Sequence, residues 1–308
     1  MKNLNVYINE NTYIHEKLTI VHRLYSCVPN TKKELRDIIE ERLAKDPDAD
    51  LNDIDVRNIT DMSALFKYLD PHNIGISDWD VSNVENMKGM FYLCENFNAD
   101  ISDWDVSKVQ DMNRMFFTCK TFNSDLSGWN VSNVKNMSHM FERCINFNSN
   151  ISDWDVSNVE NMKFMFDECL KFNIDLNNWD VSKVENMGFM FCGCIEFNSD
   201  LNNWDVSKVK DMHVMFYNCN DFNSDLSEWH VSNVKDMNYM FANCINFNSD
   251  LSKWDVSNVE NMRFMFGDCT KFDSDLSGWD VSNVKEMRFM FDGCDSLKEL
   301  PEWYVDHQ

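Results

Sequence analysis

A repeat solenoid of 25-residue coils is the fold class that this sequence predicts, and three observations predict it. Nine tryptophans stand 25 residues apart: Trp79, Trp104, Trp129, Trp154, Trp179, Trp204, Trp229, Trp254 and Trp279. Nine cysteines, Cys94 through Cys294, keep the same step. Between them, apolar residues return at the same places of each repeat, as at Trp154, Val156, Val159, Met162, Met165, Phe166, Cys169, Phe172 and Leu176. Self-similarity at such a period marks an array whose coils bury their apolar faces only against one another. The expectation is an α/β array of short strands and short helices, with about nine full coils and degenerate coils at both ends.

Residues 1–52 lack the repeat and are read as an N-terminal capping region with one helix near 31–45. Thr31 and Glu34 have the spacing of a capping box, Leu35, Ile38, Ile39 and Leu43 share one face, and Pro47 follows as a stop. The solenoid is read as 53–303, with 304–308 as a C-terminal tail. Ile54 takes the tryptophan place of a degenerate entry coil, and Cys294, Leu297, Leu300 and Trp303 close the other end in a different register.

Within each coil, Met162, Met165, Phe166 and Cys169 fall at i, i+3, i+4 and i+7, the spacing of one helix face. Asn161 precedes them as an N-cap, with Asn86, Asp111, Asn136, Asn186, Asp211, Asp236 and Asn261 equivalent. A helix of two turns depends on stacking for its stability. From Phe172 round to Val184, Asn, Asp, Ser and β-branched residues predict short strands and tight turns. Strands stacked at ~4.8 Å would give a rod on the order of 45 Å.

The formal charge of −24 repels phosphate backbones and anionic membranes, so nucleic-acid binding is not expected. No stretch is long and apolar enough for membrane insertion, and Met1 to Tyr25 holds no continuous apolar run. On that ground a cytoplasmic location is favoured. The ladder cysteines lie on the apolar face and are read as small core residues kept reduced.

Phosphate loops, HExxH and GxSxG are lacking, the seven histidines have no metal spacing, and Cys192–Cys194 is only a C-x-C pair. The chain is therefore read as a non-enzyme with no catalytic residue, no cofactor and no metal. Acidic ladders such as Asp100, Asp125 and Asp175 leave a calcium-dependent structural array as an alternative. The other reading of such residues is that they bond their own turns.

The run Asp80-Val81-Ser82-Asn83-Val84-Glu85-Asn86-Met87, then Met90-Phe91, Cys94 and Phe97-Asn98, resembles the bacterial BspA-like repeat proteins. These are also described as mycoplasma-type lipoprotein repeats, a domain of unknown function regarded as a leucine-rich-repeat variant. The likeness covers 53–303. It implies a right-handed, leucine-rich-repeat-like solenoid and a role in binding. The family's members are commonly surface proteins, so the resemblance also implies a cell-surface adhesin that binds host protein or glycan, the second functional alternative.

Specificity in an array belongs at positions that vary between coils. One column reads Gly89, Arg114, His139, Phe164, Phe189, Val214, Tyr239, Phe264 and Phe289. On a helix it would lie about 150° from the centre of the buried face and point outward. Exposed aromatics edged by cations resemble binding hot spots. Phe164, Phe189, Tyr239, Phe264 and Phe289, with Arg263 and Arg288, are thus the candidate partner-binding residues of a protein-interaction scaffold. Self-association through the same stripe is a further alternative.

Overall fold

The computed structural model describes residues 25–305. One end is closed by helix α1, Lys32–Leu43. The Thr31 side chain accepts from the Glu34 N–H at 3.2 Å, and Glu34 accepts in turn from the Asn30 N–H. That arrangement satisfies N–H groups that a helix start leaves free. Leu35 and Ile39 are fully buried, so α1 lies as a lid on the array. Arg36 adds a polar seal, donating to the Ala64, Leu65 and Lys67 carbonyls. At the other end a four-residue helix, α2, Glu302–Val305, buries Tyr304. It spans the boundary expected at 303.

Between the lids the chain stacks in tandem coils, each bonded to the next at a 25-residue offset. Isolated parallel bridges run Asp61 to Asn86, Asn86 to Asp111, and so on to Glu286. The 25-residue offset already appears at Asp50, which bridges Gly75. Each indole Nε1 donates to a carbonyl of the preceding coil at 2.9–3.1 Å, as Trp154 does to Leu126. Each ladder thiol does likewise, as Cys169 does to the Phe141 carbonyl at 3.0 Å. Burial pushes the Cys94 thiol up to about 12, and raises the deeper ladder thiols as well. These cysteines sit in the core as apolar groups with one weak hydrogen bond each. Cross-coil side-chain bonds continue the register: the Asn173 N–H donates to the Asn148 Oδ1 and the Leu176 N–H to the Ser199 Oγ.

The expected helices within the coils do not form. From Met162 to Cys169 the backbone N–H groups alternate. Those of Met162, Phe164, Phe166 and Glu168 cross to the next coil, while those of Met165, Asp167 and Cys169 turn back three residues. Phe164 and Glu168 take left-handed φ of 58° and 57°, which breaks a helix every four residues. A helix would spend its N–H groups internally and leave the coils without a backbone ladder. Here the ladder wins, although each left-handed residue costs roughly 1–2 kcal/mol. The expected N-caps are instead the bridge residues. Their side chains close turns, as when the Asn161 Oδ1 accepts from the Lys163 N–H. The strands expected beyond Phe172 are also absent among the described residues; that arc is a run of turns and side-chain ladders.

The coils are not spaced evenly round their circumference. Successive tryptophan rings lie 6.3–6.5 Å apart with planes within 4°. The core phenylalanines from Phe91 to Phe266 step by 5.5–5.7 Å. Phe164 and Phe189 step by only 4.3 Å. The near-parallel buried rings report the local coil-to-coil displacement, whereas the parallel bridges beside Phe164 stack at the ~4.8 Å of paired backbones. The stack therefore bends, with the tryptophan side convex and the Phe164 side concave.

Candidate interaction face on the concave side

The varying column lies on this concave side, and the backbone explains why it faces out. Every member from Ala64 to Phe289 has φ between 52° and 59°. At that φ the chain reverses, with the side chain swung away from the core that Met162, Met165 and Phe166 fill. Phe164, Phe189, Tyr239 and Phe264 are half-buried, and Phe289 is 51% exposed.

The rings stack on one another in two runs. His139, Phe164 and Phe189 follow at 4.7 and 4.3 Å with planes within 12°. His213 closes that run edge-on to Phe189 at 4.8 Å. Tyr239, Phe264 and Phe289 form the second run, each step 4.9 Å. Val214 separates the two. The five candidate rings thus form two patches on one face, and part of each ring's area is spent on its neighbour.

The cations divide. The Arg263 guanidinium lies over the Phe264 ring at 5.4 Å, as Lys163 does over Phe164. Such contacts contribute about 0.5–1 kcal/mol at exposed sites. Arg288 turns away from the rings and pairs with Glu286 at 2.6 Å, which holds the Glu286 carboxyl down at about 2.

A neighbouring column, three residues on, is one that the single-column reading passes over: Lys67, Tyr92, Phe117, Glu142, Asp167 and, already noted for its C-x-C spacing, Cys192. Tyr68, Tyr92 and Phe117 extend the aromatic surface, with Lys67 about equally over the first two rings at 4.9 and 4.8 Å. Glu142 is held by His139, and Asp167 is buried beside it. Burial, with the Glu142 charge adding to it, pushes the Asp167 carboxyl up to about 7. Comparison of equivalent positions two columns wide, rather than one, reaches these residues.

The acidic turns are internally satisfied. The Asp80, Asp100, Asp125 and Asp275 carboxylates each accept from the N–H two residues on. These bonds hold the Asp100, Asp125 and Asp275 carboxyls below the usual range. Among the described residues no three His, Cys, Asp or Glu side chains cluster as a metal site. No described helix is long and apolar enough to cross a membrane.

Fold and face define a tandem-repeat protein of stacked, short coils. The family described as "Mycoplasma protein of unknown function, DUF285" matches residues 35–145, 124–229 and 194–304, and the chain belongs to that family. No curated protein matches the chain. Among solved structures, one chain of "Crystal structure of TLR13-ssRNA13 complex" is similar at a TM-score of 0.23 and 11% identity. That likeness covers 79% of this chain and about half, 48%, of the other, and at that score it carries no argument.

Proposed function

We propose that the chain is a non-catalytic scaffold of the BspA-like, leucine-rich-repeat-variant kind, and that it binds a protein partner on its concave face. The supporting observation is the aromatic stripe set where the coils crowd together. Curved repeat arrays use such concave surfaces for extended contacts. Buried aromatics with cations at their edge are what interface hot spots are made of. A rigid backbone ladder holds the rings in place before binding, so little ordering cost attends the contact. Phe164, Phe189, Tyr239, Phe264 and Phe289 are assigned the contacts, with Arg263 at the rim; Arg288 serves only if Glu286 releases it.

A photo-crosslinking phenylalanine analogue at position 264 tests this reading. The expected product is a crosslink to one defined protein, repeated with that protein once purified. The same analogue at position 228, on the convex side next to Trp229, should give none. Equal crosslinking from both positions would contradict the assignment.

A further inference from the structure

The ring column stops short of the N-terminal lid. Beyond His139 it continues as Arg114, whose guanidinium lies 3.4 Å from the His139 Nε2, and then as Gly89 and Ala64, which carry no ring. The gap is a cleft of about 410 Å³. Lys67, Lys88, Tyr92 and Arg114 line it around Gly89 and Ala64. About half of the described lysines and arginines pair with a carboxylate, as Lys120 does with Glu95 and Lys210 with Glu185, whereas these three cations converge on one cleft. Among the described residues, none of the three has a carboxylate partner. Lys67 rests over the Tyr68 and Tyr92 rings, and Arg114 meets only His139 and the Asn113 Oδ1. Two acids of the same coils have other partners: Asp61 pairs with Lys32 at 2.6 Å, and Asp111 accepts from the Asn113 N–H at 2.8 Å.

We propose that this cleft is a subsite for an aromatic side chain inserted by an acidic peptide segment of the partner. The ring takes the place that Phe164 and Phe189 fill in their own coils, between Arg114 and Tyr92. The flanking carboxylates of the segment meet Lys67, Lys88 and Arg114. Charge complementarity commits the occupant to an acidic peptide: three cations without a carboxylate partner surround a ring-sized gap, on a chain of net charge −24. The proposal rests on the concave face being the partner face. It concerns a separate patch from Phe264 and Phe289.

The full chain, labelled with nitrogen-15, is titrated with acetyl-Asp-Asp-Phe-Asp-Asp-amide while amide signals are followed. The expected result is movement of the Gly89, Tyr92 and Arg114 signals that saturates and weakens with salt. Gly89→Phe fills the cleft with the residue that the same φ carries at Phe164 and Phe189, so its melting temperature should hold while affinity falls at least about tenfold. If it melts early, the Lys67→Gln/Lys88→Gln double variant decides, with the same fall expected. A peptide with alanine in place of phenylalanine should bind about tenfold more weakly. Unmoved signals at those amides, variants that bind like the wild type, or equal binding of the alanine peptide would each overturn the proposal. So would preference for an oligothymidylate over the peptide. Glu228→Gln, beside Trp229 on the opposite side of the coils, should leave peptide binding unchanged. Loss of partner crosslinking from position 264 with peptide binding intact would remove the stripe assignment and leave this subsite standing.

Discussion

At the residue scale, the molecule accepts local cost at fixed places in every coil. Thr118 shows it most plainly: a β-branched residue at φ 61°, with its buried hydroxyl unpartnered. Its equivalents include Gly193 and Gly293, at φ 72° and 73°. Thr118→Gly should therefore raise stability by about 1 kcal/mol, the relief of strain and of the orphaned hydroxyl outweighing glycine's entropy. Urea denaturation checks it, and a lowered midpoint would refute the strain argument. Asp167 makes a second residue-scale prediction. Its carboxyl titrates near 7 in the folded chain against an ordinary 3.8, because burial disfavours its charge. The folded state thus holds a proton that the unfolded chain releases, and stability from this group is lost as pH rises from about 4 through 7. Asp167→Asn should stabilise the protein at pH 8 by about 2 kcal/mol and flatten the melting profile across that window. A variant that melts below the wild type at pH 8 would show that the carboxylate is better accommodated than its burial implies.

At the element scale, the array has one repeated device, a bend in which alternate N–H groups cross to the next coil. This is where the sequence misleads. Met162, Met165, Phe166 and Cys169 face the core in a helix and in this bend alike, so apolar spacing cannot separate the two. What separates them is where the N–H groups go, and that depends on the neighbouring coil. The positive φ at Phe164 leaves no composition signal, since Arg, His, Phe, Val and Tyr all occupy the column. By contrast α1 is legible, because its cap, apolar face and stop are local. The tryptophan, cysteine and phenylalanine ladders are legible too, because identical residues must stack. Of the interaction face, the stripe was visible as variation within a repeat. Its interruptions at Val214 and Gly89 stand in the same column, but the pairing of Arg288 with Glu286 and the edge-on closure by His213 were not legible, since each depends on side-chain conformation. The lid makes a testable unit. Arg36 binds three carbonyls of the first coil. Arg36→Leu should lower stability by about 2 kcal/mol, and hydrogen exchange should quicken first in residues 62–68. Uniform quickening along the whole array would show instead that the lid and coils unfold as one body.

At the scale of the whole molecule, the account joins curvature to function. Wide indoles on one side and closely paired backbone on the other bend the stack, and the bend gathers the variable rings and the cations that lie over or beside them onto one face. The core columns hold the shape and are shared by every coil, so they carry little specificity; the concave columns differ from coil to coil. The most direct test replaces Phe164, Phe189, Tyr239, Phe264 and Phe289 together with serine and measures both melting temperature and binding of the crosslinked partner. The account predicts that binding is lost while the melting temperature falls by only a few degrees, since half-exposed rings contribute about 1 kcal/mol each or less beyond their mutual stacking. Binding unchanged in the folded variant, or collapse of the fold itself, would contradict it.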